Sequence, residues 1–269
     1  MSQRKFHLQK IMQPLLLALL IAILAACTTG GVPAAEAPAA AATTAPAEAP
    51  AASAADLAQL EAPMLAEKVA AGELPALEER LPINPLVVEP YESLGEYGGT
   101  WKIGVLSPRA AYMNARTVTE SFAMWDRTGS QPVPDVAESW DIAEDGSTYT
   151  FHLREGMKWS DGEPFTSADI LFWFNDIILN TEYTPAPPDW LKISGEVAEV
   201  SAPDDYTVIF KFVSAYSLFL PNLAFRGTSM FDYPKHYISQ FHPAYVDEAE
   251  LAAKIKELGY ETWNTAVLD

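Results

Sequence analysis

From Ser147 to Leu153 apolar Tyr149, Phe151 and Leu153 alternate with Thr148, Thr150 and His152, the period of two that marks a half-buried strand. Asp145-Gly146 in front of it supplies a turn. The period then changes. Thr166, with Asp169 three residues on, reads as a capping box that opens a helix through Ile170, Leu171, Phe174, Ile177 and Ile178, buried over one broad face. Alternation returns in a second hairpin, where Val197 to Ser201 is joined through Pro203-Asp204-Asp205 to Tyr206 to Val213. Leu251, Ile255 and Leu258 then fall at helical spacing between Asp247 and Leu258, with Gly259 as the stop. Upstream, Trp101 to Leu106 is a short apolar strand. Met64 to Leu81 predicts two short helices, because Gly72 and Pro75 interrupt the pattern. Strands and helices are mixed throughout, so the class is α/β or α+β.

The N-terminus has a different pattern. Arg4, Lys5 and Lys10 precede an unbroken apolar run from Leu15 to Ala26 that closes on Leu24-Ala25-Ala26-Cys27, the layout of a signal peptide spanning 1–26. As a helix that run covers ~18 Å, short of the ~30 Å hydrocarbon core, which disfavours a permanent membrane span. The small-small-Cys ending resembles the bacterial lipobox, which would make Cys27 the site of lipidation. It is the sole cysteine in the sequence, so no intrachain disulfide is expected. Between Gly31 and Ala55, 14 residues are Ala and 4 are Pro, too little to form a core, and 27–63 reads as a tether. The folded part is expected over 64–269.

Charge narrows the partners. With 36 acidic and 17 basic side chains the formal charge is −19, and removal of three basic residues with 1–26 takes it to −22. Nucleic acid is therefore not an expected partner. The acidity serves solubility or favours cationic solutes, and net charge alone does not separate the two. Enzyme chemistry lacks its usual parts: there is no Gly-x-Ser-x-Gly, and no glycine-rich phosphate loop. Asp161 and Glu163 could form a glycosidase-like pair, but Asp161-Gly162-Glu163-Pro164 has the composition of a tight turn, which explains both. His7, His152, His236 and His242 have no metal-ligand spacing, although His236 and His242 lie close together in a loop-like stretch. No catalytic residue, metal or cofactor is expected. Trp125, Trp140, Trp159 and Trp173 are read as packing.

PDVAESWDIAEDGSTYTFHLREGMKWSDGEPFTSADILFWFNDI, from Pro134 to Ile177, closely resembles the signature region of family-five solute-binding proteins, the peptide, nickel and oligopeptide receptors of ABC importers. LPINPLVVEPYESLGEYGGTW before it, VAEVSAPDDYTVIFKF after it and Tyr233-Pro234-Lys235-His236 extend the resemblance over about Leu74 to Gly259. It implies an α/β, periplasmic-binding-protein-like type II fold of two lobes with the ligand between them, of which this chain holds only most of the N-terminal lobe. The implied activity is capture of a solute, a peptide or oligosaccharide, outside the cytoplasm. The solute is passed to ABC permease subunits by a monomer anchored to the membrane through its lipid. The rival readings are a truncated lobe acting as an interaction or sensory module, and a secreted hydrolase. By the family's layout the loop after Leu106 would bring Ser107, Arg109, Tyr112 and Asn114 to the ligand, with Glu120, Ser121 and Phe122 in a helix that follows. Arg226, Met230 and Phe231 would approach from the segment before the Pro-Lys-His turn.

Overall fold

The computed structural model describes residues 61–100, 102 and 120–268. The signal peptide, Cys27, nearly all of the tether, the strand expected at Trp101 to Leu106, and Ser107, Arg109, Tyr112 and Asn114 lie outside the described residues. Among those described, no helix is long and apolar enough to cross a membrane.

The described residues open with the two short helices that Gly72 and Pro75 require, α1 (Pro63–Ala70) and α2 (Leu77–Arg80). A small ribbon follows, β1 (Ala123–Trp125) antiparallel to β2 (Pro132–Pro134). Glu120, Ser121 and Phe122 lead into β1 in irregular chain, with a bend at Phe122, and not in a helix. The reason is packing: Phe122 is drawn to the sheet's aromatic face, and the backbone carbonyls of Ser121 and Phe122 accept from Val136 and Ala137 as a strand would.

The main sheet contains β3 (Ala137–Ile142), β4 (Thr148–Leu153), β7 (Glu199–Asp204) and β8 (Thr207–Lys211), in the order β3-β4-β8-β7 and antiparallel throughout. A second ribbon, β5 (Lys192–Ile193) with β6 (Glu196–Val197), precedes β7. Register explains the core. Trp140, Phe151 and Val208 stand opposite one another in one row, and Ile142, Tyr149 and Phe210 in the next, so every apolar residue of the alternation faces the same side. The second hairpin turns at Asp205-Tyr206, later than expected, because Asp204 pairs with Thr207 and its carboxylate accepts from Tyr206 N–H and Thr207 Oγ1–H. Pro203 thus sits within β7, tolerated because β7 is an edge strand and the register shifts beside it.

The capping box forms as expected. Thr166 Oγ1 accepts from Ala168 N–H, and Asp169 accepts from Thr166 N–H at 3.0 Å, opening α3 (Ser167–Phe172). From Trp173 to Ile178 the helix widens into a π turn, which the sequence pattern does not announce. The widening lets neighbouring residues serve two clusters: Trp173, Phe174 and Ile178 join the main core, while Phe172 and Ile177 pack with Ile238.

Over the sheet's apolar face lies α4 (Phe219–Arg226). Phe219 is its pivot, with ring centroids 4.9 Å from Tyr149, 5.2 Å from Phe210 and 4.7 Å from Phe212, and it stacks on Trp190, which stacks on Trp173. Of the tryptophans read as packing, Trp140 and Trp173 are buried and Trp159 packs on the core, whereas Trp125 is partly exposed. The chain closes through α5 (Lys235–Ile238), α6 (Glu248–Glu257) and α7 (Trp263–Leu268). His236 therefore lies in a one-turn helix and not in a loop. Asp247 caps α6, and Gly259 ends it at φ 87° as Tyr260 N–H reaches Ile255 O and Gly259 N–H reaches Lys256 O, a Schellman closure.

Candidate functional site

Five of the described residues named from the sequence are brought together where the chain enters β1 and leaves α4. Ser121 is buried; its Oγ–H donates to Leu223 O at 2.9 Å, tying the entry of β1 to α4. Phe122, fully buried, stacks on Phe151 at 5.0 Å and meets Phe231 edge-on at 5.5 Å. Met230 is also fully buried, in the 3-10 turn Gly227–Phe231 that extends α4. Phe231 is half-buried and leans on Phe165 as well. Arg226 is exposed at the end of α4, its guanidinium 6.0 Å from the Phe225 ring centre. Glu120, also exposed, begins the segment. Glu120 and Arg226 are therefore open to solvent and Phe231 partly so, while Ser121, Phe122 and Met230 are buried.

Gly227 holds this arrangement closed. A methyl group there would stand 2.6 Å from Ser121 Oγ, 2.9 Å from Leu223 Cδ1 and 3.0 Å from Met230 Cε, so only glycine lets the entry of β1 approach the end of α4.

The electrostatics are those of a partly dry, acidic corner. Asp135, which accepts from Ser121 N–H at 3.3 Å, has its carboxyl pushed up to about 7. Burial is the largest cause and the like charge of Glu120 the next, only partly offset by the Ser121 N–H and the Arg154 guanidinium. Arg154, itself buried, donates from Nε to Asp135 O and from Nη1 to Asn84 O. Burial also raises the carboxyl of Asp232, next to Phe231. Asp135 and Asp232 were not singled out from the sequence, and Gly227 was noted only as part of the segment Phe225 to Phe231 and not for this close approach. An Asp in PDVAESW reads as exposed until tertiary contacts remove its water, and Gly227 gives no signal because its φ is ordinary.

The histidines settle into structural roles. His236 Nε2 lies 2.7 Å from Asp161 Oδ2, and hydrogen bonding from His236 holds the Asp161 carboxyl below its usual range. Asp161 Oδ1 accepts from Glu163 N–H, Gly162 takes φ 95°, and Lys158 bridges to Pro164, the turn its composition predicts. His242 is buried, with Nδ1 accepting from Ala244 N–H and Nε2 at 3.2 Å from Asp176 O. Among the described residues no group of three His, Cys, Asp or Glu is arranged to hold a metal. Asp169 has an added role: its Oδ1 accepts from Lys235 N–H at 2.9 Å, so the carboxylate that caps α3 also docks the Pro-Lys-His turn.

This fold is similar to part of an "oligopeptide-binding protein OppA", with a TM-score of 0.70 and 43% identity over 77% of this chain and 32% of that one. The fold is that of a type II periplasmic binding protein, of which the chain covers part. Residues 131–258 match the family described as bacterial extracellular solute-binding proteins, family 5 Middle. Residues 131–258 thus carry part of the fold of a family 5 solute-binding protein. It is 30% identical to the periplasmic alpha-galactoside-binding protein of Rhizobium meliloti (strain 1021) over 66% of this chain and 28% of that protein. It is 31% identical to di/tripeptide-binding protein 1 of Pseudomonas aeruginosa (strain UCBPP-PA14) over 41% of this chain and 23% of that one. The chain thus spans about a quarter to a third of the length of these relatives. All three are named as binding proteins, and the first relative as periplasmic.

Proposed function

We propose that this chain belongs to a solute-capture protein of an ABC importer, working outside the cytoplasm and handing a peptide to permease subunits. The observation that carries the reading is the 43% identity and TM-score of 0.70 to an oligopeptide-binding protein over 77% of this chain. The similarity to an alpha-galactoside-binding protein makes an oligosaccharide the alternative solute. Capture needs a cleft with a few polar anchors, and no positioned acid, base or nucleophile.

In this reading Arg226 pairs with a solute carboxylate, and Phe231 and Glu120 border the same surface, with Ser121, Phe122 and Met230 fixing their positions. Ser107, Arg109, Tyr112 and Asn114 supply the rest of the contacts. Residues 1–26 direct export, lipid on Cys27 anchors the protein to the membrane, 27–63 form the tether, and 64–269 make up most of the N-terminal lobe of a monomer.

Calorimetry of the full chain with a mixed dipeptide-to-pentapeptide library, and separately with raffinose, tests the solute. Saturable peptide binding that weakens about tenfold or more in Arg226→Ala supports the reading. Binding of raffinose alone replaces the solute, and hydrolysis of either probe overturns capture. Incorporation of labelled palmitate that disappears in Cys27→Ser tests the anchor.

A further inference from the structure

A groove of about 570 Å³ runs between α6 and the segment that leads into α7, away from Arg226, Met230 and Phe231, none of which lines it. Its floor is apolar: Leu251 and Ile255 are the buried positions of α6. Its walls are aromatic. Tyr260 is fixed by the Schellman closure behind Ile255, and Trp263 is held on three sides. The Trp263 ring lies 4.7 Å from His242 and stacks 5.8 Å from Tyr183, and its indole N–H donates to Glu182 Oε2 at 3.3 Å. Asn264 Nδ2–H donates to Glu182 O, so the loop carrying Glu182 is tied to α7. These contacts leave the groove already formed.

Its rim is unbalanced in charge: Glu182, Glu248 and Glu261 face it against Lys256 alone. An apolar floor, two aromatic walls and an excess of carboxylate complement one chemistry, a cation on a short apolar stem, which gains from burial, from the ring faces and from the carboxylates together. A volume in the range of small-ligand pockets favours a free solute. We infer that this groove is a binding site for a small organic cation, an ammonium or guanidinium on an alkyl or aryl stem. It is separate from the capture surface proposed above and independent of it.

The test uses full chain labelled with 15N at the tryptophan indoles, the Trp263 resonance being assigned by its loss in Trp263→Phe. Phenethylammonium, its neutral analogue 2-phenylethanol and the anion 3-phenylpropionate are titrated in turn. The cation is expected to shift the Trp263 resonance saturably, the alcohol to bind at least about fivefold more weakly and the anion more weakly still. Each of Glu182→Gln, Glu248→Gln and Glu261→Gln should weaken the cation about two- to fivefold, and Lys256→Gln should strengthen it by a similar factor. All four side chains are exposed, and melting curves will show that the variants fold. Equal binding of the three probes, an unmoved Trp263 resonance, or a Lys256→Gln variant that binds the cation more weakly would each overturn the inference.

Discussion

The chain from Phe122 to Phe231 and the chain from Ile83 to Tyr97 are both rich in apolar side chains, yet one forms a core and the other stays in water. In the first, apolar positions recur at two or at helical spacing, and Tyr149, Phe151, Val208, Phe210 and Phe219 converge on one face. In the second, Val88, Tyr91, Leu94 and Tyr97 recur at intervals of three, which suits neither a strand face nor an α-helix stripe, and they are 69%, 84%, 68% and 63% exposed. Hydrophobic content is therefore a poor guide to burial here. What decides it is whether the spacing lets a regular element present all its apolar groups to one partner.

Phe219→Ala breaks the comparison from the core side with the largest effect. It removes a ring that touches Tyr149, Phe210, Phe212 and Trp190 at once and leaves a cavity, for a cost of about 3–5 kcal/mol in urea unfolding of the full chain. Gly227→Ala comes next, at about 1–3 kcal/mol, because its methyl would overlap Ser121 Oγ and crowd Met230. Ser121→Ala should cost less in that background than in the wild type, since it removes the closest clash as well as a hydrogen bond.

Asp135 sharpens the comparison through pH. Its folded pKa is raised, so the folded state holds the extra proton between its unfolded value near 4 and about 7, and stability falls as pH rises through that window. Asp135→Asn imitates the protonated form and keeps an acceptor for Ser121 N–H. It should be nearly neutral at pH 4 and stabilising by about 1–2 kcal/mol at pH 8, after discounting for partial solvent screening. Melting temperatures of both proteins across pH 4–8 measure it, and parallel curves would show that burial does not govern this carboxyl. Thr166→Ala should cost about 1 kcal/mol through loss of the cap, with little dependence on pH over 5–8.

The sequence was most legible where a local rule and a tertiary need coincide. Thr166 with Asp169, Asp145-Gly146, Asp161-Gly162 and Gly259 each specify a local hydrogen-bond pattern, and each is present. The alternation of β4 set its buried face because register copies it to β3 and β8. Less legible were features made by distant partners. Glu120 to Phe122 gave no sign that Phe151 and Val136 would hold them out of a helix, and Asp169 gave none that Lys235 N–H would find its second oxygen. The candidate surface was legible only as a neighbourhood. Resemblance pointed to Ser121, Phe122, Arg226, Met230 and Phe231, and the structure gathers them, but which of them faces outward depends on the close approach at Gly227.

Tyr91→Ser tests the exposed side of the comparison, and its expected effect is the smallest. The Arg127 guanidinium lies 6.0 Å from the centre of the ring, while Arg127 Nη1–H also donates to Pro90 O at 3.3 Å. An exposed cation–π contact contributes about 0.5–1 kcal/mol at most, and the backbone bond to Pro90 survives the substitution, so a change within about 0.5 kcal/mol is expected. Paired urea titrations of wild type and variant resolve a difference of that size. A loss above about 1 kcal/mol would mean that Val88, Tyr91 and Leu94 are covered in the full chain. Spacing would then not be what separates the two regions, and the contrast would reduce to which surfaces each segment can reach.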